Sequence, residues 1–149
     1  MIALLQRVSS ARVDIGVQTV GQIDRGLLVL IGVHLHDDVA VAERLLARVL
    51  AYRVFPDAAG RMNLSLTDVA GGLLLVPQFT LAADTHSGLR PGFSTAAPPE
   101  AAKALFHHLL ERAQTAHSAV QAGQFGAHMQ VSLTNDGPVT FLLDVRRSG

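Results

Sequence analysis

Two short stretches combine residue types that suit chemistry at an exposed backbone. The first, residues 135–140, reads Asn-Asp-Gly-Pro-Val-Thr and lies between apolar runs at 129–133 and 139–145. Gly137 has no side chain, so a ligand can come close to its carbonyl, and Gly137–Pro138 is the kind of bond in which cis peptides occur. The same residues also suit a plain hairpin turn between two strands. The pattern alone leaves both interpretations open.

The second stretch, residues 77–81, reads Pro-Gln-Phe-Thr-Leu and directly follows the apolar run 73–76, which is typical of a strand. The strand therefore delivers Gln78, Phe79 and Thr80 at its end. Thr80 carries the one hydroxyl group of the stretch. As a nucleophile it would need a neighbouring base, and the sequence names none, so we interpret Thr80 as a positioning group.

Other catalytic chemistries are less well supported. His34 and His36, followed by Asp37 and Asp38, offer metal-ligand types, but they also suit a loop that caps the next helix. No second ligand cluster accompanies them, so we favour a structural role and expect no metal. The chain lacks a Gly-x-Ser-x-Gly elbow, and the loop neighbours at 84–87 are not typical of a catalytic triad.

Composition bounds the class of protein. The chain has 149 residues, of which 49% are hydrophobic, and it contains no cysteine. This length predicts one domain, residues 1–149, and the lack of cysteine excludes disulfides and a thiol nucleophile. Neither a membrane-spanning run nor a signal-peptide pattern is present, so we expect a cytoplasmic protein. The net charge is zero, so any contact with RNA must rest on locally clustered basic groups.

Hydrophobic patterning predicts many short strands and two helices. The first helix starts near Val39 with Asp37 or Asp38 as its cap, and the second starts at residues 98–100, where proline is tolerated. Strands with helices on one face indicate an α+β fold. The predicted strands include 2–8, 12–15, 18–23, 27–33, 73–76, 129–133 and 139–145.

The two stretches at 77–81 and 135–140 together make the chain resemble the D-aminoacyl-tRNA deacylase family. The resemblance runs through nearly the whole chain, with matching segments at 1–8, 26–33, 61–65, 83–85, 90–91, 93–94, 97–99 and 125–129. One residue departs from the family pattern, which usually has a small polar residue, most often Ser, where this chain has Pro77. A contact that Ser makes toward ribose would then be absent or moved to Gln78.

The resemblance implies a fold, a reaction and an assembly. The fold would be layered β/β/α, with barrel-like antiparallel sheets and two main helices on one face. The reaction would be hydrolysis of the ester bond of D-aminoacyl-tRNA, and of glycyl-tRNA, without a cofactor. The neighbouring ribose 2′-hydroxyl would assist the chemistry. The partner would be the aminoacyl-tRNA 3′ end, and the protein would be a homodimer in which each subunit supplies Gly137 and Pro138 to the other subunit's site.

The resemblance also assigns roles to particular residues. Gln78, Phe79 and Thr80 would form the catalytic motif, with main-chain N–H groups around Phe79 and Thr80 available to a developing oxyanion. Gly137 and Pro138 would hold the α-amino group and leave no room for an L side chain.

The remaining roles concern the pocket and its support. Phe125 and Met129 would contact the substrate, although core packing is the common role of such residues. Arg7 would support the Gly-Pro loop through main-chain carbonyls, or else form a salt bridge on an edge strand. Two rival functions stay open: a non-catalytic RNA or small-ligand binding module, and a metal-dependent esterase that uses His34 and His36.

Overall fold

The computed structural model describes residues 1–148 and contains eight strands, three α-helices and one 3₁₀ turn. The strands are β1 (Ile2–Ile15), β2 (Gln18–Ile23), β3 (Gly26–Gly32), β4 (Phe55–Pro56), β5 (Met62–Leu64), β6 (Gly72–Pro77), β7 (Val120–Ala122) and β8 (Gln130–Asp144). The helices are α1 (Val39–Ala51), α2 (Leu66–Val69) and α3 (Pro99–Ala116), and the 3₁₀ turn covers Phe79–Ala82. Gly149, the last residue of the predicted domain, lies outside the described residues.

Strand β1 is the centre of the main sheet. Its first half pairs with β3 and its second half with β2, and both halves pair with the long strand β8. Pairing continues from β3 to β6 and β7, which gives the order β2-β1-β3-β6-β7. Strand β8 pairs along β1 over both the half that faces β3 and the half that faces β2. The sheet therefore curls into a nearly closed, barrel-like arrangement.

The sheet is mixed, which corrects the expectation of antiparallel sheets alone. The pairs β3–β6 and β6–β7 are parallel. A parallel pair needs a long connection that crosses over one face of the sheet. The chain supplies two such connections, one containing α1 and α2 and the other containing α3.

Two hydrophobic clusters confirm the β/β/α layering. One joins the sheet to buried residues of both α1 and α3, so the two main helices share one face. The other cluster contains strand residues only, including Val13, Leu28 and Leu74, and fills the space enclosed by the curled sheet. Asp38 caps α1 by accepting a hydrogen bond of 2.9 Å from the Val41 N–H, as the sequence predicted. No helix within residues 1–148 is long and apolar enough to cross a membrane.

The two strands predicted at 129–133 and 139–145 are parts of one strand, β8. Both parts pair with β1 rather than with each other, so the hairpin-turn interpretation is wrong. Val8 pairs with Asn135 and Gln6 pairs with Thr140, so residues 136–139 leave the ladder opposite Arg7. The Gly-Pro segment is therefore a loop that bulges from a continuous antiparallel pair.

Candidate active site

A cleft of about 440 Å³ lies where β6 ends and α3 begins. Four residues predicted from the sequence line it: Gln78, Phe79, Phe125 and Met129. Pro77 and His128 line it as well. The cleft thus brings the 77–79 segment and the 125–129 segment together.

The end of β6 leaves free main-chain donors beside this cleft. The Gln78 N–H still donates to the Ile31 carbonyl across the sheet, at 2.7 Å. The 3₁₀ turn that follows begins its hydrogen bonds at Leu81, which donates to the Gln78 carbonyl. The N–H groups of Phe79 and Thr80 therefore have no acceptor within the part of the chain described, as expected for the first residues of such a turn.

The side chain of Gln78, which lines the cleft, contacts that of Thr80, which does not line it. The Gln78 amide donates to the Thr80 hydroxyl oxygen. Within residues 1–148, no histidine or carboxylate hydrogen-bonds to that hydroxyl. Thr80 therefore lacks the neighbouring base that a nucleophile requires, and its role as a positioning group remains a prediction.

Aromatic and sulfur-containing side chains shape the walls. Phe79 is 59% exposed and packs on Phe93, with ring centroids 5.2 Å apart. The Met129 sulfur accepts a hydrogen bond from the Gln124 N–H at 3.4 Å. A Cβ on Gly123 would lie 2.8 Å from the same sulfur. The close approach of residues 123–124 therefore fixes Met129, and the exposed Phe79 ring leaves a face for stacking.

His128 is a lining residue that sequence reasoning missed. It is the only ionisable side chain among the residues of the cleft. The one signal that pointed to it was its position beside Met129 in the 125–129 segment. By contrast, the buried His117 lies with its ring nitrogen 2.6 Å from the Gly71 carbonyl oxygen, which is a structural contact.

Side chains of β1 and of β8 itself hold the Gly137–Pro138 loop in place. The Nε atom of Arg7 donates to the Asp136 carbonyl at 2.9 Å, and its Nη1 atom donates to the Val54 carbonyl at 2.7 Å. Arg7 thus has main-chain acceptors at the loop, with the Asp136 carboxylate 3.7 Å from its Nε. The bond between Gly137 and Pro138 is cis.

Asn135 is a second support of the loop and was not predicted. Its side-chain oxygen accepts from the Val139 N–H at 2.7 Å, and its amide nitrogen donates to the Val139 carbonyl at 3.2 Å and to the Thr140 hydroxyl at 3.0 Å. Gly137 and Pro138 are exposed and do not line the cleft of their own chain. One chain therefore does not bring its two motifs together.

The predicted structural role of the His34 region is consistent with its contacts. The Asp37 carboxylate accepts from the His34 N–H at 2.7 Å, and His34 is buried with no hydrogen-bond partner for its Nδ1. Burial lowers the pKa of His34, and the positive charges of Arg146 and the Met1 amino group act in the same direction. No group of three or more potential metal ligands occurs among the described residues.

A protein family and several known proteins are similar in sequence to this chain. The model of a family described as D-Tyr-tRNA(Tyr) deacylase matches residues 4–144. A D-aminoacyl-tRNA deacylase of Pseudomonas paraeruginosa is 62% identical over 144 residues, which covers 97% of this chain and 99% of the relative. A D-aminoacyl-tRNA deacylase of Ectopseudomonas mendocina is 61% identical over 145 residues, with 97% and 100% coverage.

Two solved structures share the fold. One, described as c-Myc DNA Unwinding Element Binding Protein, superposes with a TM-score of 0.94 at 36% identity and covers 99% of this chain and 100% of its own. The other, a probable eukaryotic D-amino acid tRNA deacylase, has a TM-score of 0.85 at 17% identity, with 97% and 98% coverage. The second likeness shows the fold alone.

Proposed function

The chain belongs to the D-Tyr-tRNA(Tyr) deacylase family, and on that premise we propose that it hydrolyses the ester bond of D-aminoacyl-tRNA, releasing tRNA and the free D-amino acid. The observation that carries the proposal is the 62% identity to D-aminoacyl-tRNA deacylases along almost the full length of both chains. Glycyl-tRNA is a further expected substrate. A cytoplasmic location, where aminoacyl-tRNA is used, is part of the proposal.

The cleft suits the aminoacylated 3′-terminal nucleoside. Its walls are mostly apolar, and the exposed Phe79 ring offers a stacking surface for a base or an amino-acid ring. The free N–H groups of Phe79 and Thr80 lie at its edge and are the proposed donors to the carbonyl oxygen as it becomes negative. Removing one such donor in other hydrolases costs roughly 10²–10³ in kcat.

The attacking oxygen must come from outside the protein side chains. Among residues 1–148 no base hydrogen-bonds to the Thr80 hydroxyl, whose side-chain partner is Gln78. The ribose 2′-hydroxyl next to the ester is the proposed assistant in the attack of water. Water adds to the carbonyl carbon, the bond to the 3′ oxygen breaks, and that oxygen takes up a proton. The protein contributes mainly by holding the ester in place, which can supply much of the rate.

Selection for the D configuration is assigned to the Gly137–Pro138 loop of a second subunit. The loop is exposed and held firmly by Arg7 and Asn135, so it is available to enter a neighbouring cleft. Carbonyls at Gly137 and Pro138 would hold the α-amino group and occupy the space that an L side chain needs. A D side chain would point toward solvent, so many D-amino acids should be accepted.

Pro77 affects one contact of this scheme. It lines the cleft and supplies neither a hydroxyl group nor an N–H donor. Gln78 follows Pro77 in the chain and is a polar residue of the same wall, and its amide already donates to Thr80. Hydrogen bonds to the ribose from this wall are therefore assigned to Gln78.

A binding role without catalysis is the second candidate. It is favoured by one observation, the 36% identity over nearly the whole chain to a structure described as a DNA-element binding protein. Such a protein would leave an aminoacyl ester intact. The two candidates therefore differ in one measurable product, the free amino acid.

The deciding experiment incubates the protein with D-tyrosyl-tRNA and L-tyrosyl-tRNA and measures the release of tyrosine. We expect rapid hydrolysis of the D ester and none above background for the L ester. Binding without release from either ester would reject the deacylase proposal, and loss of activity with a chelator would favour the metal-esterase rival. A third arm uses D-tyrosyl-tRNA with a 2′-deoxy terminal ribose, where full activity would reject assistance by the 2′-hydroxyl.

A further inference from the structure

A groove of about 400 Å³ adjoins the cleft along α3. Phe125 lines both of them, so the groove and the cleft are neighbours that meet at this residue. Helix α3 forms one wall of each, with Ala102 facing the cleft and the next residue, Lys103, facing the groove. A strand that leaves the cleft on the Phe125 side would therefore pass beside this groove.

The groove combines apolar side chains with a rim that carries one positive charge, on Lys103. Leu110 and Ala122 contribute partly exposed apolar surface above the buried Phe106. Lys103 and His107 stand one helical turn apart on α3. This mixture of apolar surface and positive charge is the chemistry of single-stranded nucleic-acid grooves.

The positive charge of the rim is available to a ligand. Lys103 is the only lysine of the chain. Its side chain is exposed, and it forms no salt bridge with any residue from 1 to 148. Glu100, one turn earlier on α3, does not line the groove. In a protein of zero net charge, this is the local basic group that an RNA strand beside the cleft would require.

We propose that the groove binds the nucleotides that precede the terminal adenosine of the aminoacyl-tRNA, with Lys103 contacting a backbone phosphate. The inference rests on the proposed function, because the terminal nucleoside must occupy the cleft for the strand to pass Phe125. Lysine offers three donors from a mobile ammonium group, which suits a phosphate contact without base selectivity. The groove therefore supplies affinity for the acceptor strand irrespective of which amino acid it carries.

The test compares two substrates that share the ester. One is D-tyrosyl-tRNA, and the other is adenosine that carries the D-tyrosyl ester on its ribose. Replacing Lys103→Gln should lower kcat/KM on the tRNA roughly threefold to tenfold at low salt and leave the nucleoside ester unchanged. The slope of log kcat/KM against log salt should become shallower by about 0.7, the value for one phosphate of a single strand.

Two variants serve as controls. Arg112→Gln removes the same charge from α3, on the side of the helix that faces Glu43 rather than the groove, and it should leave the salt slope on the tRNA unchanged. Lys103→Arg keeps the charge and should restore most of the activity on the tRNA. Because Lys103 is exposed, each variant should keep the wild-type melting temperature and oligomeric state.

The outcomes separate this inference from the proposed function. A wild-type protein that hydrolyses D-tyrosyl-tRNA, together with a Lys103→Gln variant that keeps the wild-type salt slope, overturns the groove and leaves the deacylase function standing. Equal losses on both substrates, or an altered oligomeric state, also overturn the groove. A wild-type protein that hydrolyses neither substrate overturns both proposals.

Discussion

At the scale of single residues, Gly137 occupies a backbone position that has no room for a side chain. Its φ is +150°, and a Cβ there would lie 2.6 Å from Val139 Cγ2 and 2.7 Å from the Val139 nitrogen. The Gly137→Ala change must therefore displace the loop. We expect at least a tenfold loss of kcat/KM on D-tyrosyl-tRNA, with detectable hydrolysis of L-tyrosyl-tRNA where the displaced loop opens space.

Gly16 is a control that distinguishes the effect of a steric clash from the effect of a positive φ. Gly16 also has positive φ, +58°, but a Cβ there would meet nothing within 4 Å. Gly16→Ala should cost about 1 kcal/mol in stability, the penalty of a left-handed residue, and keep the preference for the D ester. Wild-type kinetics on both esters in Gly137→Ala would contradict the assignment of chirality to this loop.

A second prediction for a single residue, His34, concerns how the free energy of unfolding depends on pH. Burial, helped by nearby positive charges, lowers its pKa from 6.5, although Asp37 and Asp144 oppose the shift. As the pH falls through 6.5, the unfolded chain takes up a proton at this residue, whereas the folded protein takes it up only at a lower pH. The free energy of unfolding should therefore decrease from pH 7.5 to pH 5.5, because the unfolded state binds more protons.

Urea unfolding at a series of pH values measures this effect. His34→Gln should flatten the decrease between pH 7.5 and pH 5.5, whereas His86→Gln, in an exposed loop, should retain the wild-type dependence. The same decrease in His34→Gln as in the wild type would mean that other groups cause it.

At the scale of elements, the parallel pair β3–β6 depends on two facing glycines. A Cβ on Gly26 would lie 1.9 Å from the Gly72 carbonyl oxygen and 2.6 Å from the Gly72 nitrogen. Because backbone rather than a flexible side chain blocks the space, Gly26→Ala must separate the strands where they begin. We expect the free energy of unfolding to fall by about 3 kcal/mol, at the high end for overpacking.

Separation of the two strands should also change the candidate active site, because β6 leads directly to Gln78 and Phe79. Denaturant unfolding of Gly26→Ala should show a lower midpoint, and its activity on D-tyrosyl-tRNA should fall as well. Gly92→Ala is the control, since its nearest neighbour would be at an ordinary 3.7 Å. If Gly26→Ala is as stable as Gly92→Ala, the strands can separate without a loss of unfolding free energy, which would contradict the prediction.

Local patterns predicted most of these elements, and long-range contacts account for what they missed. The cap at Asp38, the start of α3 and strand β6 follow from residues close in sequence. The β3–β6 pairing joins residues more than 40 positions apart, and no local signal encodes it. The sequence predicts two strands in place of β8 because Gly137 and Pro138 usually end a strand, whereas pairing of both halves with β1 keeps β8 continuous.

The candidate site shows the same division. The sequence predicts four residues of the cleft because they lie in segments that match the family: Gln78, Phe79, Phe125 and Met129. The structure brings all four into one cleft. His128 and the clamp at Asn135 were missed, because their roles depend on which side chains the fold brings to them.

At the scale of the whole molecule, the two motifs lie apart in one chain. The cleft carries Gln78 and Phe79, and the Gly137–Pro138 loop is exposed outside it. Our proposal requires a homodimer in which each loop enters the partner's cleft. A sedimentation measurement tests the dimer, but it does not test which chain supplies the loop.

Complementation between two impaired variants tests this directly. Phe79→Ala damages the cleft, and Gly137→Ala damages the loop. In a heterodimer with exchanged loops, the intact cleft of the Gly137→Ala chain receives the intact loop of the Phe79→Ala chain. One of the two sites is then complete, whereas loops that serve their own chain leave every site with one defect.

Unfolding and refolding an equal mixture should therefore raise the activity above that of either variant refolded alone. Half of the random dimers are heterodimers with one working site, so we expect about a quarter of the wild-type rate. The release of tyrosine from D-tyrosyl-tRNA measures it, and each variant refolded alone is the control. A mixture no more active than its components, in which mass spectrometry detects heterodimers, would place each loop in its own chain's site and reject the exchanged arrangement.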